Sequence, residues 1–111
     1  MQYQAPRSIT AEEAAQTFQA GQPYEISEAL VAAALHVADR VWVEQWLVHF
    51  AGHPDPDVRR AAALALGHLA RLHKKVSPQA ISAVRNLLED RQLGGAATDA
   101  LEDVEIFTRG N

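Results

Sequence analysis

The sequence predicts an all-α fold, built as a short stack of helical pairs, and three observations lead there. Runs of β-branched residues and clusters of turn formers are few, which leaves little material for a sheet. The stretch from His53 to Leu72, HPDPDVRRAAALALGHLARL, is apolar almost all the way round a helical wheel, whereas a surface helix carries a narrower stripe. The chain also matches itself at an offset of 35 residues: Asp55 falls on Asp90, Val58 on Leu93, Ala61-Ala62 on Ala96-Ala97, Ala65-Leu66 on Ala100-Leu101 and Leu69 on Val104. One helical pair cannot bury both of its faces, so a repeat of this kind needs neighbours, and about three stacked pairs are near the minimum. At 111 residues the chain has room for that many in a single domain.

Taken in order, residues 1–9 show no periodicity and read as an arm. Residues 10–52 read as an N-terminal cap and first repeat, 53–90 as the best-matching repeat and 91–111 as a C-terminal cap helix. Thr10 with Glu13 is a capping-box pattern and Gly21 a natural stop, which predicts a first helix over about residues 11–20. Pro23 opens the second, where Ile26, Leu30, Ala34 and Val37 recur at helical spacing. The third runs from about Val41 to Ala51, with Val43, Trp46, Leu47 and Phe50 on one face, and Gly52 with the turn His53-Pro54-Asp55-Pro56 ends it.

The fourth helix starts on Asp55, whose carboxylate caps free N–H groups, and Pro56, whose missing N–H costs nothing at the first helical position. Val58, Ala61, Ala62, Ala65, Leu66, Leu69 and Leu72 form one broad face, which Ala63, Leu64 and Ala70 widen. Arg60, Gly67, Arg71 and Lys74 are left as a polar wedge, so this helix is expected to be packed on both flanks. Ser77-Pro78 repeats the cap-then-proline device for the fifth, with Ile81, Val84 and Leu88 inward. The sixth covers about Leu93 to Phe107, entered through Gly94-Gly95. The expected core is Val58, Ala62, Ala65, Leu69, Ile81, Val84, Leu88, Ala100 and Val104.

DPDVRRAAALALGHL, with its Asp-Pro-x-x-Val-Arg start and Ala-Leu-Gly ending, resembles the first helix of a HEAT-type repeat. The resemblance implies a short right-handed α-solenoid of about three helical pairs whose general job is binding. It also implies that Arg59 is a ladder residue bonded to an acid or carbonyl of the neighbouring turn, with Asp55, Asp57 and Asp90 as candidate partners. Asp55, Pro56 and Arg59 are therefore structural candidates, since a buried arginine without a partner is too costly to keep. Gly94-Gly95, standing where Arg59-Arg60 would fall, and an unrelated first helix are the departures expected of terminal caps.

Several functions are set aside. No run of about 18 apolar residues exists to span a membrane, and the N-terminus lacks the blocks of a signal peptide, so a cytoplasmic protein is expected. Zero cysteines exclude disulfides and thiolate chemistry. A net charge of −4 argues against nucleic acid, whose binders show a basic excess. His49 and His53 have the spacing of two metal ligands, but Gly52 and Pro54 break the helix between them, and His68 and His73 diverge on the wheel. No metal or other cofactor is expected. No Ser–His–Asp set, phosphate-cradling glycine loop or carboxylate pair stands out, so an enzyme is not expected.

What remains is a partner-binding surface. Residues 58–88 hold six bases and no acids, while 1–57 hold eight acids and two bases and 89–111 six acids and two bases. Such striping is either solvated faces with helix-end preference or a device that orients a charged partner. The second helix of each stacked pair generally lines the concave side, which puts Trp42, Gln45, His49, Ser82, Arg85 and Glu89 in a groove; Trp42 serves either as a contact or in packing against helix one. Glu102 and Glu105, near Asp99 and Ile106, form an acidic patch with an apolar centre that suits a basic partner such as a cationic toxin domain. By type and size the chain resembles small bacterial immunity proteins, monomeric when free, that bind and occlude a toxin. The alternative is a HEAT-like scaffold or chaperone-like subunit of the phycobilin-lyase type.

Overall fold

A computed structural model describes residues 8–109, so most of the expected N-terminal arm lies outside the described residues. Six α-helices follow one another: α1 (Ala11–Ala20), α2 (Pro23–His36), α3 (Arg40–Ala51), α4 (Pro56–His73), α5 (Pro78–Arg85) and α6 (Gly94–Phe107), with a 3-10 turn, Asn86–Glu89, after α5. The all-α solenoid expected from the sequence is the architecture observed.

Local chemistry sets where the helices begin. Glu13 receives the Thr10 N–H at 3.0 Å while the Thr10 hydroxyl receives the Glu13 N–H at 3.1 Å. Glu25 does the same for the Gln22 N–H ahead of Pro23, at 2.8 Å. Asp39 caps α3 through the Trp42 N–H, Asp55 caps α4 through the Asp57 N–H, and Ser77 caps α5 through the Ala80 N–H. Asp90 accepts the Gln92 N–H at 2.8 Å, the same i to i+2 bond that Asp55 makes at 2.8 Å, so the 35-residue match extends to this turn.

Two layers result. α4 packs against α2, α3, α5 and α6, so the helix read as buried on both flanks is the hub of the stack. α2 and α6 lie on either side of it, and α5 lies beside α3 in the other layer. α1 packs on α2 and reaches α3 through Phe18. Small side chains permit this: Ala61, Ala62, Ala63, Ala65 and Ala70 are buried together with Val58, Leu66 and Leu69. Their counterparts in α6, Leu93, Ala97, Ala100 and Val104, are buried as well. Ile9, at the edge of the expected arm, packs against this core.

The structure corrects one core assignment, Leu88, and the placing of three residues on the wheel of α4. Leu88 is 42% exposed and Leu87 is buried, because the 3-10 turn shortens the period to three and carries the inward direction from Val84 to Leu87. Leu64 and Leu72 are 45% and 55% exposed, on the outer side of α4. Gly67, assigned to the polar wedge, is buried against α6: a Cβ there would stand 2.9 Å from Asp103 Oδ2 and 3.8 Å from Ala100 Cα. The missing side chain is what lets α6 approach so closely.

Polar ties run from each pair to the next. Glu44, the buried charged residue among those described, accepts from Arg40 at 2.7 Å and from the Ser77 N–H at 2.9 Å, joining α3 to the cap of α5. Arg59 donates to the carbonyls of His53 and Pro54 at 2.8 and 2.9 Å and reaches Asp90 at 3.3 Å. Arg60 donates to the Gln92 carbonyl at 3.2 Å.

Leu69→Ala is expected to cost about 2–5 kcal/mol in urea unfolding, a large share of the roughly 5–15 kcal/mol such a domain has. Glu44→Ala is expected to cost about 2–3 kcal/mol, because it strands the Arg40 guanidinium and the Ser77 N–H together. A double-mutant cycle with Arg40→Ala measures how much of that is the ion pair.

Candidate protein-binding surface

The candidate contacts of α3 divide between two sides of the helix. Trp42, Trp46, His49 and His53 follow one another at helical spacing along the side that faces α1. Phe18 sits against them, 6.3 Å from the Trp42 ring and 4.8 Å from Trp46, and Phe50 stacks on Trp46 at 5.7 Å. Trp42 and Trp46 are both half-buried, so packing against helix one is a role that Trp42 fills, and Trp46 is less enclosed than a core residue. His49 is exposed with its ring against Trp46 and Phe50, while His53 Nδ1 accepts the Asp55 N–H at 3.0 Å. Gln45 points outward between two exposed valines, Val41 and Val48.

A shallow groove of about 680 Å³ does lie between α3 and α5, but most of the predicted residues are not in it. Its walls include Val48, Pro78, Gln79 and Asn86, and of the predicted groove residues Ser82 alone lines it. No charged side chain lines it. Arg85 and Glu89 are exposed elsewhere on α5 and the turn after it. On α6, Glu102 is exposed, Glu105 pairs with Arg109 at 3.4 Å, and Ile106 stands 58% exposed beside them. The seven sequence-predicted contacts thus occupy four places, two sides of α3, α5 with the turn after it, and α6, and the structure does not gather them into one.

A second, larger groove was not expected from the sequence. It measures about 880 Å³ and lies where α1, α2 and α4 meet. Tyr24 and Leu64, 66% and 45% exposed, stand on its walls with the carboxylates Glu13, Glu25 and Glu28. A cue existed in Tyr24 and Glu28, one helical turn apart at the start of α2, but Leu64 read as part of the broad packed face of helix four and gave no sign of lining a groove.

Between α4 and α6 lies a charged cluster. Arg71 Nη1 donates to Asp103 Oδ2 at 2.6 Å, and Arg71 Nη2 donates to His68 Nδ1. Guanidinium nitrogens only donate, so Nδ1 is the acceptor and the imidazole carries its proton on Nε2. Burial lowers the His68 pKa below its usual 6.5 and Arg71 lowers it further, while Asp103 pulls the other way. The unfolded chain therefore takes up this proton first as pH falls. The contribution is fully present above about pH 6.5 and is lost as pH drops from there towards the depressed folded value. His68→Gln, which keeps an acceptor and cannot titrate, is expected to lose less stability than the parent between about pH 7 and pH 5.5, read by urea midpoints. Among the described residues, no three His, Cys, Asp or Glu side chains gather where a metal could bind.

Among curated proteins none matches this chain. Of solved structures, a chain of the structure described as the crystal structure of a CDI complex from Cupriavidus taiwanensis LMG 19424 is 31% identical, with a TM-score of 0.85 over 96% of this chain and 97% of that one. A model of HEAT repeats matches residues 16–102, from within α1 to within α6. The stacked helices and the repeat model agree: the chain belongs to the HEAT-repeat family.

Proposed function

We propose that this protein is an immunity protein, one that binds and covers a bacterial toxin domain and carries out no reaction of its own. The observation that carries the reading is the likeness, along nearly the whole of both chains, to a component of a CDI complex. CDI is contact-dependent inhibition, in which a delivered toxin domain is held inactive by a bound immunity protein. A stacked-helix scaffold supports the same reading, because its faces are built by packing behind them and stay rigid when a partner arrives. The protein acts in the cytoplasm as a monomer until it meets its toxin. No helix among the described residues is long and apolar enough to cross a membrane.

Occlusion asks for exposed side chains over one continuous patch, roughly 800 Å² a side for a stable complex. Gln45, His49, Arg85, Glu89, Glu102 and Glu105 are the candidate contacts exposed to solvent, and a single patch of that size takes in some of them, not all. Trp42 contributes through the ring packing behind such a patch.

Co-expression with the toxin domain encoded beside this gene is expected to restore growth, and the two proteins to purify as one complex. Protection that survives when binding is abolished, or no protection against the neighbouring toxin, overturns the reading.

A further inference from the structure

We infer that the groove between α1, α2 and α4 receives a cationic segment of the partner, one bearing lysine or arginine around an apolar residue. This rests on the immunity reading above and says which face carries out the capture. Ile9, Val31, Leu64 and Tyr24 are among the residues that line the groove, so part of its wall is apolar. Tyr24 and Leu64 are two of the seven large apolar side chains that stand exposed among the described residues. Two such residues lining one cleft are what an inserted side chain covers.

Charge decides what is inserted. Glu13, Glu25 and Glu28 line the cleft and no lysine or arginine does. The bias extends beyond the walls: from Ser8 to Asp39 there is no lysine or arginine, against the acids Glu12, Glu13, Glu25, Glu28 and Asp39. Glu13 and Glu25 are held in position by the backbone N–H groups of Thr10 and Gln22, so these carboxylates are set before a partner arrives. Glu28 makes no hydrogen bond or ion pair among the described residues. A cation entering here meets several carboxylates beside apolar side chains, and charge-assisted bonds to carboxylates are the stronger kind. A nucleic acid or an acidic peptide meets repulsion.

The other faces fit such a partner less well. The groove between α3 and α5 has no charged lining. The α6 patch has Ile106 and the acid Glu102 but lines neither groove, and Asp103 and Glu105 already have Arg71 and Arg109 as partners.

The test is calorimetric titration of the full chain with the toxin domain encoded beside it, using Glu28→Lys, Tyr24→Ser and, on α6 away from the candidate contacts, Asp99→Lys. All three sites are exposed, and thermal melts confirm that each variant folds. Glu28→Lys and Tyr24→Ser are each expected to raise Kd about tenfold or more, and Asp99→Lys by less than about threefold. Raising salt from about 0.05 to 0.3 M is expected to weaken the parent more than Glu28→Lys. If the parent binds and both groove variants bind as tightly, the groove is overturned while the immunity reading stands. An equal loss in Asp99→Lys reports diffuse attraction and overturns it too, as does self-association of the parent that Tyr24→Ser abolishes. A parent that does not bind the toxin removes the immunity reading and the inference with it.

Discussion

Close approach of helices on both sides of α4 is the constraint on which the rest of the structure depends. The helix has neighbours on four elements, so almost every position on its circumference must be either small or apolar. Alanine meets that demand with no loss of helix propensity and no side-chain entropy to surrender. The same economy makes the fold sensitive, since a stack of about three pairs has no spare layer to absorb a void in its middle helix. Where even alanine is too large, at Gly67, the Asp103 carboxylate occupies the space and is held there by Arg71.

Apolar packing alone would let adjacent pairs slide, and the polar ties stop that. Glu44 reaches Ser77 across 33 residues, Arg59 reaches Asp90 across 31 and Arg71 reaches Asp103 across 32. Each tie runs from one pair into the next, at nearly the same separation, so they act as register marks along the stack. Glu44 differs from the arginines in being buried, where a charge is tolerated only with its partners in place. Its bond to a cap N–H also means that α5 starts where α3 allows it to start.

How much of this was legible in the sequence depends on how local the cause is. Thr10 with Glu13, Pro23, Asp55-Pro56 and Ser77-Pro78 mark the helix starts because a cap is a matter of three or four neighbouring residues. The inward positions of α6 could be read from those of α4, since the repeat supplies the comparison. Leu64 and Leu72 could not be sorted: a wheel of alanine and leucine has no polar contrast to say which leucine is outside. Leu88 was misplaced because nothing local announces that the last turn tightens to 3-10 geometry. Glu44 gives no sign of its burial, for its partner N–H lies 33 residues away. The grooves were harder still. Tyr24, Glu28 and Leu64 become neighbours only through the packing of α2 on α4, and no spacing along the chain encodes that meeting.

Both tryptophans of the chain sit in one aromatic cluster, where α3 meets α1. Indole emission therefore reports the environment of that seam and of little else. A fluorescence trace follows the docking of α1 on the stack, while helicity followed by circular dichroism averages over all six helices. Coincidence of the two signals says that the first helix leaves together with the rest, and an earlier fluorescence change says that it peels away alone. Phe18, which links α1 to both indoles, makes this short end helix the best-instrumented part of the molecule without any label.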